Sequence, residues 1–229
     1  MTEVRGKTFI VVGASGVLGR EIATELSARG AVVIGTARRE SSFSEMTVYS
    51  SRQVELDLED SDSVTSFVAD VTSGSANVNG LVLAAGLVAF GAANETPANI
   101  THRLMAVNAT APIVLAAGLA PTLAKNADSV IVSLSGKVAE MPTAGIAAYS
   151  ASKAALHAYS VAAGRELRRA NVRWVDARPG HTETGLASRA IFGDAPNFGA
   201  GLSPESVARR IVEAIVADEK DLPSSAFEG

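Results

Sequence analysis

Thr8-Phe-Ile-Val-Val-Gly-Ala-Ser-Gly-Val-Leu-Gly19 is the stretch that decides the fold of this chain. Thr8 to Val12 is an apolar, β-branched run, the composition of a buried strand. Gly13, Gly16 and Gly19 follow, and from Val17 to Arg29 the sequence reads as a helix closed by Gly30. Glycines between a strand and a helix allow a tight turn. They also let a diphosphate approach the backbone at the helix N-terminus. The candidate contacts in this turn are Gly13, Ser15, Gly16, Val17, Leu18 and Gly19.

The same alternation continues along the chain. Ala31 to Thr36, Gln53 to Leu56, Leu81 to Ala84, Ser129 to Leu134 and Val172 to Ala177 read as further strands. Helical patterns lie between them at Ser61 to Val71, Asn99 to Lys125 and Ala148 to Ala170, with another at Pro204 to Ala217. Pro112 should kink or split the second of these. Asp221 to Phe227 reads as a short last strand. Strand after helix after strand implies parallel pairing with right-handed crossovers. The expected fold is α/β: a doubly wound, mostly parallel sheet with helices on both faces. The strands are continuous apolar runs, as expected when both faces are covered. No repeat or linker divides residues 1–229, so one domain is expected. Residues 72–80 and 184–202 are the least regular stretches, and 185–202 is long enough to serve as a substrate lid.

The chain has 229 residues, 47% hydrophobic and 19% charged, enough for one substantial core. A net charge of −4 without a basic block argues against a nucleic-acid partner. There is no cysteine, which excludes disulfides and thiol chemistry and fits a reducing compartment. The charged start, Met1 to Lys7, lacks the shape of a signal peptide. Apolar runs such as Gly80 to Phe90 are about half a membrane span. A cytoplasmic protein without a membrane partner is expected.

In such a sheet, ligands bind at the carboxyl ends of the strands. After the second strand stand Arg38 and Arg39, where an acidic residue would bind the ribose diol of NAD. Two arginines suit a ribose 2′-phosphate, hence NADP (NADPH) in preference to NAD, or form a solvated basic turn. Asp57 and Leu58 follow the third strand, and the small residues Ala84, Ala85 and Gly86 the fourth. Ser133, Ser135 and Gly136 stand at the end of the fifth. After the sixth comes Arg178-Pro-Gly-His-Thr-Glu-Thr184, which contains Pro179, Gly180 and Thr182. Tyr149 and Lys153, four residues apart, share a helix face. An ammonium beside a phenol should draw its pKa down from about 10 towards neutrality, making it a proton donor or acceptor.

The chain resembles the short-chain dehydrogenase/reductase family over nearly its whole length. The resemblance is carried by the turn Gly13 to Gly19, Asp57, Asn108 in Val-Asn-Ala-Thr, Tyr149-Ser-Ala-Ser-Lys153, and Pro179-Gly180 with Thr184. It implies a Rossmann-type fold and hydride transfer between a nicotinamide and a small carbonyl or alcohol substrate. Tyr149 would be the acid/base. Lys153 would lower its pKa and hold the nicotinamide ribose. A Ser after the fifth strand would polarise the substrate oxygen, and Asn108 would hold a relay water.

The departures from the family pattern are local. Val12 replaces the family's usual Thr, and Leu83-Ala84-Ala85-Gly86 replaces Asn-Asn-Ala-Gly. Ungapped counting back from Tyr149 puts the family's Ser at Gly136. A loop one residue longer, with Lys137 as the extra residue, restores Ser135 as that serine and leaves Ser133 as a strand-end residue. His157 reads as a core or subunit-interface residue, and His102 as a surface residue. His181 is placed for a substrate or cofactor contact. No metal is expected, because these histidines lack ligand spacing. The family pairs its long helices between subunits, so a homodimer or homotetramer is expected through Asn99–Lys125 and Ala148–Ala170. The alternative function is a cofactor-binding regulatory or scaffold protein without turnover.

Overall fold

In the computed structural model of the chain, which describes residues 3–74 and 77–228, six strands form one parallel sheet. They are β1 (Thr8–Val12), β2 (Val32–Ala37), β3 (Arg52–Glu55), β4 (Gly80–Leu83), β5 (Ser129–Leu134) and β6 (Val172–Ala177). Their spatial order is β3-β2-β1-β4-β5-β6. Met1, Thr2, Ser75, Ala76 and Gly229 lie outside the described residues, and with them part of the irregular stretch 72–80 and of the chain start. β1 sits at the centre, pairing with β2 on one side and β4 on the other. The sheet's winding reverses there, and this opens a crevice at the carboxyl ends of β1 and β4.

Alternation along the strands divides the core in two. Phe9 and Val11 of β1 face one layer with Val33, Val132 and Val175. That layer is covered by α1 (Val17–Ala28), through Ile22 and Leu26. A short α2 (Phe43–Met46) adds Met46 to it. Ile10 and Val12 face the other layer with Leu81, Leu83, Ile131 and Trp174. Helix α3 (Ser61–Ser73) brings Phe67 to that side, and its first turn is capped by the Asp60 carboxylate, which accepts from the Asp62 N–H.

Next come α4 (Ala98–Met105) and α5 (Ala111–Leu123), joined by one π turn over Ala106–Thr110. Pro112 accounts for this break. It has no N–H to offer the Asn108 carbonyl four residues earlier, so the regular ladder cannot run through. The Ala111 N–H instead donates to the Ala106 carbonyl, five residues back. Residues 98–123 are long and apolar enough to cross a membrane by length and composition. In this fold Leu115, Leu119 and Leu123 are buried in the second core layer. Helix α6 (Ala147–Leu167) follows on the same side, and α7 (Pro204–Val216) returns to α1 with Ile211, Val212 and Ile215 buried. Ser203 caps α7 by accepting from the Ser206 N–H, and Pro204 opens it.

The last expected strand is corrected. In 221–227 only Leu222 pairs with the sheet, in a single parallel bridge to Ala177. Pro223 then offers no N–H to extend the ladder, and Ser224–Phe227 coils into a 3₁₀ turn.

Candidate active site

Two positions around the turn after β1 accept only glycine. Gly13 has φ of +79°, and a Cβ there would stand 2.8 Å from Ala85. A Cβ on Gly19 would lie 2.2 Å from the Gly13 carbonyl oxygen. Thr36 at the end of β2 holds the turn from beside it, accepting from the Gly13 N–H at its hydroxyl and from the Ala14 N–H at its carbonyl. Helix α1 starts with no side-chain cap and no acidic residue in its first turn. Its leading N–H groups therefore face the crevice without a side-chain acceptor, the arrangement that binds a phosphate.

A cavity of about 830 Å³ runs from this turn along the carboxyl edge of the sheet. It gathers residues that are far apart in sequence: Ser15 to Gly19, Arg38, Asp57, Leu58, Ala84 to Gly86, Ser135, Tyr149, Lys153, and Pro179, Gly180, Thr182 and Thr184. Sequence reasoning missed two residues at the Arg38 end. Glu59 lies 3.7 Å from the Arg38 guanidinium, and Arg103 of α4 grips Glu59 with two hydrogen bonds of 2.7 and 2.9 Å. The Arg103 hydrogen bonds, aided by Arg38, hold the Glu59 carboxyl below its ordinary range. These two arginines come from separate elements, so no local motif announces the cluster.

Tyr149 and Lys153 sit on the first two turns of α6. The Lys153 ammonium is 6.0 Å from the Tyr149 ring centroid and donates to the Leu134 carbonyl at 2.7 Å. The expected lowering of the phenol pKa is not what this arrangement produces. Burial pushes the Tyr149 phenol up to about 12, and burial pulls Lys153 down to about 8, opposed by the Asp176 charge. Both ionised forms lose water in the crevice, and the ammonium contacts a carbonyl rather than the phenol. Tyr149 is thus a neutral acid at physiological pH.

Asn108 lies outside the cavity lining and is fully buried. Its amide accepts from the Leu87 N–H and donates to the Leu87 carbonyl and the Ser152 hydroxyl. The side chain thereby ties the π turn to the segment after β4 and to α6.

The serines differ most from expectation. Ser135 donates its hydroxyl proton to Asp176 Oδ2 at 2.5 Å, and Ser133 donates to Oδ1 at 2.5 Å. A serine hydroxyl has one proton. While Asp176 is ionised, Ser135 can present only lone pairs to the cavity and cannot polarise a carbonyl oxygen. Gly136 follows with φ of +79°. Lys137 opens a 3₁₀ turn and reaches Glu228.

At the far end, residues 185–202 lie over the crevice. The Phe90 N–H donates to the Phe192 carbonyl and the Ile191 N–H to the Val88 carbonyl, both at 2.9 Å. Phe198 packs on Phe90 at 5.9 Å and stacks on His181 at 4.8 Å. Val138, Met141, Ile146, Leu186 and Ile191 complete an apolar wall. Arg189 gives its guanidinium to the Gly185 and Thr184 carbonyls, and Asp194 is exposed. Of the histidines, His181 lines the cavity, His102 is exposed, and half-buried His157 pairs with Asp176 at 2.7 Å.

The family model for short chain dehydrogenases matches residues 7–191. Dehydrogenase/reductase SDR family member 7B from Mus musculus is 26% identical over 98% of this chain and 75% of its own length. A short-chain dehydrogenase from Streptomyces avermitilis superposes with a TM-score of 0.85 at 27% identity, covering 97% of this chain and 90% of that one. A metagenomic short-chain oxidoreductase solved in complex with NADP gives 0.80 at 26% identity, covering 97% and 98%. The match spans the strand–glycine–helix turn, the Tyr–Lys pair and Pro179-Gly180, and the chain belongs to the short-chain dehydrogenase family of oxidoreductases.

Proposed function

We propose that this oxidoreductase uses NADP(H) to interconvert a neutral, mainly apolar carbonyl compound and its alcohol, with Tyr149 as the acid/base. One observation carries the reading. A glycine turn at an uncapped helix N-terminus, Arg38, a half-buried Tyr149 and a buried Lys153 share one cavity, whose far wall is apolar. The bound nicotinamide supplies or accepts the hydride. In the reducing direction the neutral Tyr149 gives its proton to the carbonyl oxygen. The phenolate left behind is faced by the Lys153 ammonium until solvent returns a proton. Arg38 supports the choice of NADP, because a guanidinium takes a 2′-phosphate as a bidentate partner. Arg189 is turned onto lid carbonyls, so the substrate end presents little to attract an anionic substrate.

Tyr149→Phe tests the chemistry, since it keeps the ring and removes the proton. NADPH binding should stay within about twofold, while carbonyl-dependent NADPH oxidation should fall about a hundredfold or more. Undiminished turnover would overturn the assignment.

The Ser135–Asp176 bond and the glycine at 136 favour one second reading, a cofactor-binding protein without turnover. Tight NADPH binding with no oxidation across aldehyde and ketone panels would establish it.

A further inference from the structure

β6 is an apolar strand with an acid in it. Asp176 is 4% exposed, and in the sheet it lies level with Ser133 of β5. A carboxylate in such a place is costly unless its oxygens are filled. Here they are: Ser133 donates to Oδ1, while Ser135, His157 Nδ1 and Arg178 Nη1 crowd Oδ2 at 2.5, 2.7 and 3.3 Å. Trp174 Nε1 donates to the Ser133 oxygen, which fixes that hydroxyl's proton towards Asp176. Packing alone would be met as well by an alanine or valine.

The network ends in the catalytic crevice. Ser133 and Ser135 flank Leu134, whose carbonyl receives the Lys153 ammonium. Locking both serines onto one carboxylate therefore fixes the acceptor that orients Lys153. We propose that Asp176 is a positioning residue of the active site: it holds the end of β5 against Lys153, and its buried charge sustains the Lys153 ammonium. This rests on the reading of Tyr149 and Lys153 given above.

The charged groups around Asp176 set the sign of the test. Lys153, which feels the Asp176 charge, and His157 approach from α6, and Arg178 from the residue just after β6. Arg178 is shared with Glu140 and Asp221. Asp176→Asn keeps the shape and removes the charge, leaving Arg178 and Lys153 as like charges. Lys153 should then lose its proton at lower pH. Arg178→Met removes the opposing cation, leaves Glu140 and Asp221 able to reach water, and should move the Lys153 titration up. A change that only loosened packing would not move the two variants in opposite directions.

The experiment is NMR titration of labelled lysine side chains. The chain has five lysines, and Lys153→Arg assigns the signal. The expected result is a midpoint lowered by about one unit in Asp176→Asn and raised in Arg178→Met. The alkaline limb of carbonyl-dependent NADPH oxidation should shift the same way. Should Asp176→Asn not fold, the upward shift in Arg178→Met still decides. An unmoved Lys153 midpoint, or shifts of one sign in both variants, overturns the proposal. Shifted midpoints in a protein that neither binds NADPH nor turns over would uphold the coupling and sink the functional reading alone.

Discussion

At the scale of single residues, the loss of water around Tyr149 and Lys153 decides the charges in the crevice. Tyr149, Lys153, Arg38 and the three glycines are legible because each belongs to a short local motif. Protonation is not local. The phenol is raised and the ammonium lowered by the loss of water around both, which no four-residue spacing reports. Glu59 is another case, reached by Arg103 from 44 residues away. It bears on cofactor choice. The Arg38 guanidinium should favour NADP(H) over NAD(H) by about tenfold to a hundredfold, the equivalent of roughly 1.5–3 kcal/mol for a charge-assisted contact. Glu59, 3.7 Å away, partly neutralises it. Glu59→Gln should therefore tighten NADPH binding a few-fold and leave NADH nearly unchanged. Ala37→Asp with Arg38→Leu should reverse the preference, by repelling the phosphate and offering the diol an acceptor. Fluorescence titrations with both cofactors at fixed salt check this; equal affinities in the parent would mean that Arg38 is only a solvated turn.

At the scale of elements, periodicity places every strand to within a residue or two, because parallel strands buried on both faces leave unbroken apolar runs. It fails where backbone donors decide. Pro112 converts an expected kink into a π turn that carries Asn108, and Pro223 ends the expected last strand after one bridge. The Asp176 network escapes because its members come from β5, β6 and α6. The signal available was an acid in an apolar strand, a position that strands disfavour. Helices α5 and α6 carry apolar residues on more than one face, and Val114 and Val161 remain 41% and 42% exposed. Self-association through these faces would remove them from water. We expect a homodimer or homotetramer at micromolar concentration. Val114→Glu with Val161→Glu should shift it towards monomer without loss of helical signal. A monomeric parent in sedimentation velocity would refute this.

At the scale of the whole molecule, the fold and the cofactor crevice follow from the chain's alternation. The charge state of Tyr149 and Lys153 follows from the assembled crevice, so it also couples the site to stability. Tyr149 is raised from 10.0 to about 12 on folding, so its contribution is complete below pH 10 and is lost as pH rises towards 12. Lys153 is lowered from 10.5 to about 8, which works the other way. Below pH 8 the folded state carries the full cost of a buried ammonium. That cost is relieved as pH climbs from 8 to 10.5, because the unfolded chain then binds more protons. At roughly 1.4 kcal/mol per unit, each group is worth on the order of 3 kcal/mol. Urea midpoints should accordingly rise between pH 8 and 10 in the parent relative to Lys153→Met, and fall between pH 10 and 12 relative to Tyr149→Phe. Parallel midpoint-against-pH curves for parent and variants would show that neither group is desolvated as the crevice requires.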